Sequence, residues 1–136
     1  MTRASAAPAV GTELPELRLD VSTTFVVATA LATRDFQDVH HDRAAAVARG
    51  SKDIFLNILT TTGLVQRCVT DWAGPGAVVR AVSIRLGVPC YAGDTLDLRG
   101  RVAEVAAGPD GAEVVVEVVG RCGLGDHVTG TVRVVP

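Results

Sequence analysis

The sequence predicts an α+β domain in which a run of antiparallel strands wraps one long helix, and three observations carry that prediction. Ile54, Ile58, Val65, Val69 and Trp72 recur on one helical face, while Phe55, Leu56, Leu59 and Leu64 make the first half of the segment apolar almost all round. A helix of that kind needs to be enclosed. Gly74-Pro75-Gly76 ends it. From there to the C-terminus apolar and polar residues alternate in runs broken only by turn signals, the pattern of half-buried strands.

The elements follow in order. Met1 to about Thr12 are Ala, Ser, Pro and Gly with almost no large side chains, which predicts a flexible tail over 1–12 and a single domain over 13–136. The β-branched run from Thr23 to Thr33 reads as a strand that delivers the chain to Asp35. Asp42 is suited to cap a short helix from Arg43 to Arg49, and Gly50 to stop it. After the central helix, Val78 to Val88 alternates through Val82, Ile84 and Leu86. Leu96, Leu98 and Val102 alternate with Asp97, Arg99 and Arg101 after a turn at Tyr91-Ala92-Gly93-Asp94. Gly108-Pro109-Asp110-Gly111 is a hairpin signal leading into Glu113 through Cys122, and Gly123 to Asp126 turns into a last strand through Val128, Val132 and Val134.

With 136 residues the chain can bury a real core, and with 48% apolar but only 4% aromatic residues that core is built from Val, Ala and Leu. A net charge of −2 gives no global attraction for nucleic acid or an anionic membrane. Cys68, Cys90 and Cys122 are odd in number and widely spaced, fitting neither a disulfide framework nor paired zinc ligands, so they read as reduced core or surface thiols. With no apolar run of signal-peptide or membrane-span length, the expected location is the cytoplasm.

The chemistry concentrates in Arg34-Asp35-Phe36-Gln37-Asp38-Val39-His40-His41-Asp42. A carboxylate and an imidazole five residues apart do not share a helix face, so Asp35 and His40 converge only across a loop. On spacing alone the plainer alternative stands, with Asp35 capping a turn and His40 packing at the base of the loop. No phosphate-binding Gly fingerprint, metal-ligand spacing or nucleophile motif is present.

This stretch resembles the R-specific enoyl-CoA hydratases of the MaoC-like family, which carry Asp-x-Asn-Pro-hydrophobic-His-x-Asp/Glu-x-Ala/Ser. Asp35, Val39, His40, Asp42 and Ala44 match; Gln37 and Asp38 stand where Asn and Pro are usual. One branch, the small MaoC-like subunits of actinobacterial hydratases acting on a steroid side-chain enoyl-CoA, shares that departure. The similarity runs from about Leu14 to Val135 and includes Gly50-Ser51-Lys52-Asp53-Ile54-Phe55, Asp71-Trp72-Ala73-Gly74-Pro75 and Leu124-Gly125-Asp126-His127-Val128.

The resemblance implies a hotdog fold with one hotdog per chain, paired with a second MaoC-like hotdog protein in a heterodimer or heterotetramer. It implies that Asp35 and His40 hold a catalytic water, with an acyl-CoA as substrate, no cofactor beyond the CoA of that substrate and no metal. The oxyanion donor, a backbone N–H near the start of the central helix, falls on Asn57, with Ile54 and Gly50 as the nearby alternatives. Several members brace the Asp with a Ser further along this helix, where Val65 stands here, leaving Thr61 or Thr62 to replace it. His41 reads as solvated or as a residue supporting the dyad from behind, and His127, in its Gly-Asp-His turn, as surface more often than site. Arg80, Arg85, Arg99, Arg101 and Arg121 are candidates for CoA phosphates or an ordinary solvated strand face. Two rivals remain. A hotdog thioesterase tends to carry an acidic residue on the central helix, and none lies between Ile54 and Asp71. A non-catalytic structural subunit would have no need of Asp35 and His40.

Overall fold

The computed structural model describes residues 7–136. Among them the chain runs β1 (Leu17–Val21), α1 (Thr23–Ala32), a 3₁₀ turn (Asp38–His40), α2 (Arg43–Ala48), α3 (Ile58–Ala73), β2 (Val78–Leu86), β3 (Asp94–Gly108), β4 (Gly111–Cys122) and β5 (Gly125–Val135). The strands form one sheet in the order β1-β3-β4-β5-β2 with every neighbouring pair antiparallel. The sheet encloses α3, the layout read from the sequence.

Alternation sets the two faces of this sheet. Leu96, Leu98, Val102, Val114, Val116, Val118, Val128, Val132 and Val134 are buried, and against them pack Leu64, Val65, Cys68 and Val69 of α3. Residues 64, 65, 68 and 69 stand at i, i+1, i+4 and i+5, one broad helical stripe. The core is therefore aliphatic, as the composition predicts.

Three expectations are corrected. Thr23 to Thr33 does not form a strand; Thr23–Ala32 is α1. Ser22 caps it, its Oγ accepting from Phe25 N–H at 3.0 Å, and the hydroxyls of Thr29 and Thr33 turn back onto carbonyls of the preceding turn at 2.7 and 2.8 Å. Burial of Val26 and Ala30, four residues apart, outweighs the β preference of the threonines and valines. The strand before it, β1, was not read from the sequence, although Leu17, Leu19 and Val21 alternate in the expected way.

The central helix also begins later, at Ile58 with Asn57 as its cap, and not at Ile54. Residues 54–56 are extended and pair with residues 90–92 through Leu56 N–H to Cys90 O and Ala92 N–H to Ile54 O, both 3.0 Å. Ile58 and Leu59 are consequently about half exposed, at 51% and 52%. Order reaches further back than expected as well. Gly11 N–H donates to Val102 O and Val102 N–H to Thr12 O, laying residues that the composition assigns to the tail against β3. Met1 to Ala6, the rest of that expected tail, lie outside the described residues.

Candidate active site

The end of α1 aims Asp35. Arg34 N–H donates to Leu31 O at 3.0 Å and Asp35 N–H to Ala30 O at 2.9 Å, the paired bonds of a Schellman ending, with Arg34 in the left-handed conformation (φ 59°) where glycine is usual. Asp35 then accepts from Gln37 N–H at 3.3 Å through Oδ1, which tightens the turn. The 3₁₀ turn carries His40 back toward Asp35. Behind it Asp42 Oδ1 accepts from Ala45 N–H at 3.0 Å and Gly50, at φ 91°, ends α2, both as predicted.

His40 is buried and lies 3.4 Å through Nε2 from Asp35 Oδ2. Its other nitrogen, Nδ1, is 2.8 Å from Phe55 O. A carbonyl only accepts, so Nδ1 carries the hydrogen and the neutral ring keeps its lone pair on Nε2, facing the carboxylate. Phe55 also meets the imidazole edge to face at a centroid distance of 4.9 Å, fixing the ring plane. With the ring neutral, two acceptors face one another with no hydrogen of their own between them. A water can donate to both.

The Asn57 side chain has a role beyond the one expected of its backbone. Its Oδ1 accepts from Thr60 N–H at 3.3 Å as the α3 cap, and its Nδ2 donates to Asp35 Oδ2 at 3.2 Å and Thr33 Oγ1 at 2.8 Å. The Thr33 hydroxyl spends its hydrogen on carbonyls of α1, so it accepts here, which fixes which way the amide points. The side chain that braces Asp35 is thus that of Asn57. Thr61 and Thr62 do not supply the brace: Thr62 Oγ1 donates to Ile58 O, and Thr61 Oγ1 is 2.8 Å from His127 Nε2.

The three expected backbone donors separate clearly. Gly50 N–H is spent on Val47 O and Ile54 N–H on Asp53 Oδ1. Asn57 N–H has no acceptor among the described residues, and Ile58 and Leu59 open the helix, where N–H groups lack intrahelical partners. Asp53 itself bonds Arg43 at 2.8 Å, which with Ile54 N–H holds its carboxyl below the usual carboxylate range.

His41 is exposed, as read. His127 is not a surface residue: it is buried at 2% exposure, with Nδ1 2.7 Å from Val88 O and Nε2 facing Thr61. Burial pushes its pKa down, against smaller opposing effects from Val88 O and Asp94. Val128, Val132 and Val134 share the opposite parity of β5, so strand alternation points His127 outward and the sequence carries no local signal for its burial. The arginines do not gather at the dyad. Arg99 and Arg101 alternate with inward-facing Leu98, Gly100 and Val102, so they line the outer face, and Arg80, Arg99 and Arg121 pair with Asp110, Glu16 and Asp126.

The family described as MaoC like domain matches residues 6–120. This chain belongs to that family. A relative of the MaoC-like chain from Mycobacterium tuberculosis (strain ATCC 25618 / H37Rv), named 3-oxo-4,17-pregnadiene-20-carboxyl-CoA hydratase beta subunit, is 64% identical over 124 residues, 91% of this chain and 93% of the relative. Among solved structures, the MaoC-like chain superposes on a chain of the ChsH1-ChsH2 complex from Mycobacterium tuberculosis with a TM-score of 0.89 and 61% identity, covering 94% of this chain and 98% of that one. It also superposes on the (R)-hydratase from A. caviae involved in PHA biosynthesis with a TM-score of 0.82 at 21% identity, covering 97% and 98%. The fold is the hotdog.

Proposed function

We propose that this chain is the catalytic subunit of a heteromeric enoyl-CoA hydratase that adds water across the α,β double bond of a steroid side-chain enoyl-CoA such as 3-oxo-4,17-pregnadiene-20-carboxyl-CoA. The observation that carries the reading is the contact of His40 Nδ1 with Phe55 O, which in the neutral ring leaves the lone pair on Nε2 facing the Asp35 carboxylate. Water held by both groups loses a proton to Nε2 as its oxygen bonds the β-carbon, and the π electrons move toward the thioester oxygen. The Asp35 carboxylate stabilises the imidazolium so formed. That imidazolium then returns its proton to the α-carbon from the same side, giving syn addition. Asn57 N–H, at the positive end of α3, takes the enolate oxygen.

Similarity to a protein named as a beta subunit supports a partner, and so does the surface. Among the described residues β2 is a sheet edge, bonded to β5 alone, and Ile58 and Leu59 expose apolar surface beside Asn57. A second MaoC-like hotdog covers both and completes the acyl pocket. The chemistry is proton transfer and addition of a water oxygen to carbon with no net redox change, so the reaction runs without a cofactor besides the CoA of its substrate. The reading is tested by incubating the paired complex with the enoyl-CoA ester. A product heavier by one water is expected. Free CoA released at turnover rates, trapped with a thiol reagent, would replace the hydratase by a thioesterase.

A further inference from the structure

We propose that Cys90, Cys122 and Asp94 form a binding site for one borderline-soft divalent cation of the zinc class, set behind the segment that orients His40. The two Sγ atoms and a carboxylate oxygen of Asp94 all lie within 4.8 Å of one another. They arrive from three places in the chain: the loop after β2, the first residue of β3 and the last residue of β4. Two thiolates with one carboxylate suit zinc-like ions, whereas magnesium and calcium take oxygen ligands throughout.

The carboxylate is held as metal-binding carboxylates are, by hydrogen bonds from outside the cluster. Asp94 Oδ1 accepts from Thr95 N–H at 2.9 Å and Gly123 N–H at 3.0 Å, and Oδ2 from the same Gly123 N–H at 3.1 Å. A carboxylate offers about four lone-pair sites, so Oδ2 retains one. Glycine at 123 allows this close approach, since a Cβ there would meet Asp94 Oδ1 at 3.1 Å. Among the described residues Cys122 Sγ makes a long contact to Pro89 O, 3.6 Å, and meets the Cys90 thiol, its fellow ligand. Cys90 is fully buried, while Cys122 and Asp94 are half-buried and give the ion its way in.

Without an ion the Cys90 sulfur keeps its proton. Burial, and then the neighbouring Cys122 and Asp94, push the Cys90 thiol far above its ordinary range. A divalent cation supplies the positive charge that this grouping lacks. Two S–H bonds break, two sulfur–metal bonds form, and two protons go to solvent with no change of oxidation state.

Occupancy acts on the catalytic segment without touching it. Cys90 O accepts from Leu56 N–H and Ala92 N–H donates to Ile54 O, and between these two bonds lies Phe55, whose carbonyl takes His40 Nδ1. The ion therefore stiffens the strand that sets the tautomer of His40. It takes no part in the hydration step, and the site stands whether or not the hydratase reading holds.

Cadmium is the spectroscopic probe, titrated into the reduced, metal-stripped complex with its partner, and zinc is the probe for stability. Expected are one equivalent bound per copy of this chain, a thiolate-to-cadmium absorption band in the ultraviolet, and a zinc-dependent rise in unfolding temperature. Cys122→Ser and Asp94→Asn, both at half-buried positions, should weaken binding at least tenfold, with Cys68→Ser unchanged as the control. Circular dichroism and partner binding confirm that each variant is folded. No band, a band undiminished in Cys122→Ser, or equal loss in Cys68→Ser would overturn the site. A Cys90–Cys122 disulfide in the protein as isolated, with no cation uptake after reduction, would do the same.

Discussion

Asn57 and Asp35 are joined by one hydrogen bond, Nδ2 to Oδ2 at 3.2 Å, and the same asparagine starts the central helix with its other amide atom. Helix start and the Asp35 carboxylate are thereby one mechanical unit. The two functions can be separated by substitution. Asn57→Asp keeps an acceptor for Thr60 N–H but sets a second carboxylate against Asp35, so turnover should fall by more than tenfold with little change in unfolding temperature. Asn57→Ala loses the cap too, at about 1 kcal/mol. Urea unfolding beside steady-state kinetics separates the two, and equal kcat in Asn57→Asp and wild type would show that the amide does not position Asp35.

The dyad predicts non-additive losses. Asp35→Asn and His40→Ala should each lower kcat by about 10²–10⁴-fold with substrate binding nearly intact. The double variant should be little worse than either, because one removal already releases the water that the other group would use. His41, exposed and outside the pair, should change the rate by less than about tenfold, or roughly 1.4 kcal/mol, when replaced by Ala. Near-normal turnover in Asp35→Asn would move the chemistry to the partner chain and leave this one a structural subunit.

His127 predicts how stability depends on pH. Its pKa is lowered in the folded chain, so below the ordinary histidine value of about 6.5 the unfolded chain binds a proton that the folded chain refuses. The contribution is complete above that value and is lost as pH falls from it toward the depressed pKa, the direction that linkage requires. Urea midpoints should therefore drop on acidification through that window, and His127→Gln should flatten the slope. Thr61→Val, which strands the buried Nε2, should cost about 1–3 kcal/mol at neutral pH. A wild-type slope unchanged in His127→Gln would assign the acid sensitivity to other groups.

Strands β2 to β5 were legible because a half-buried sheet writes its alternation directly into the sequence, and the hairpin at Gly108 to Gly111 marks its own turn. The central helix was legible in type but not in its start, since an apolar run from Ile54 does not reveal that its first three residues pair with the segment around Tyr91. α1 was misread because threonine hydroxyls that bond back to their own helix leave the same composition as a strand. In the site, Asp35 and His40 follow from spacing plus resemblance. The Asn57 brace and the Cys90–Cys122 neighbourhood depend on contacts between residues 22 and 32 positions apart, and no local pattern records those.

The last prediction concerns the exposed start of α3. Ile58 and Leu59 stand half exposed beside Asn57, and burying a side chain of this kind against a partner contributes about 1.5–3 kcal/mol when complete. Leu59→Lys should therefore weaken assembly with the second hotdog at least tenfold while leaving circular dichroism of the chain unchanged, because the position carries no core contact of its own fold to lose. Activity titrated against partner concentration distinguishes two roles. If Leu59 only touches the partner, saturating partner restores full kcat; if it also lines the acyl pocket, KM for the bulky ester stays raised in the saturated complex. Sedimentation and kinetics on the same samples read both. Wild-type assembly and wild-type KM together would show that the second chain binds elsewhere.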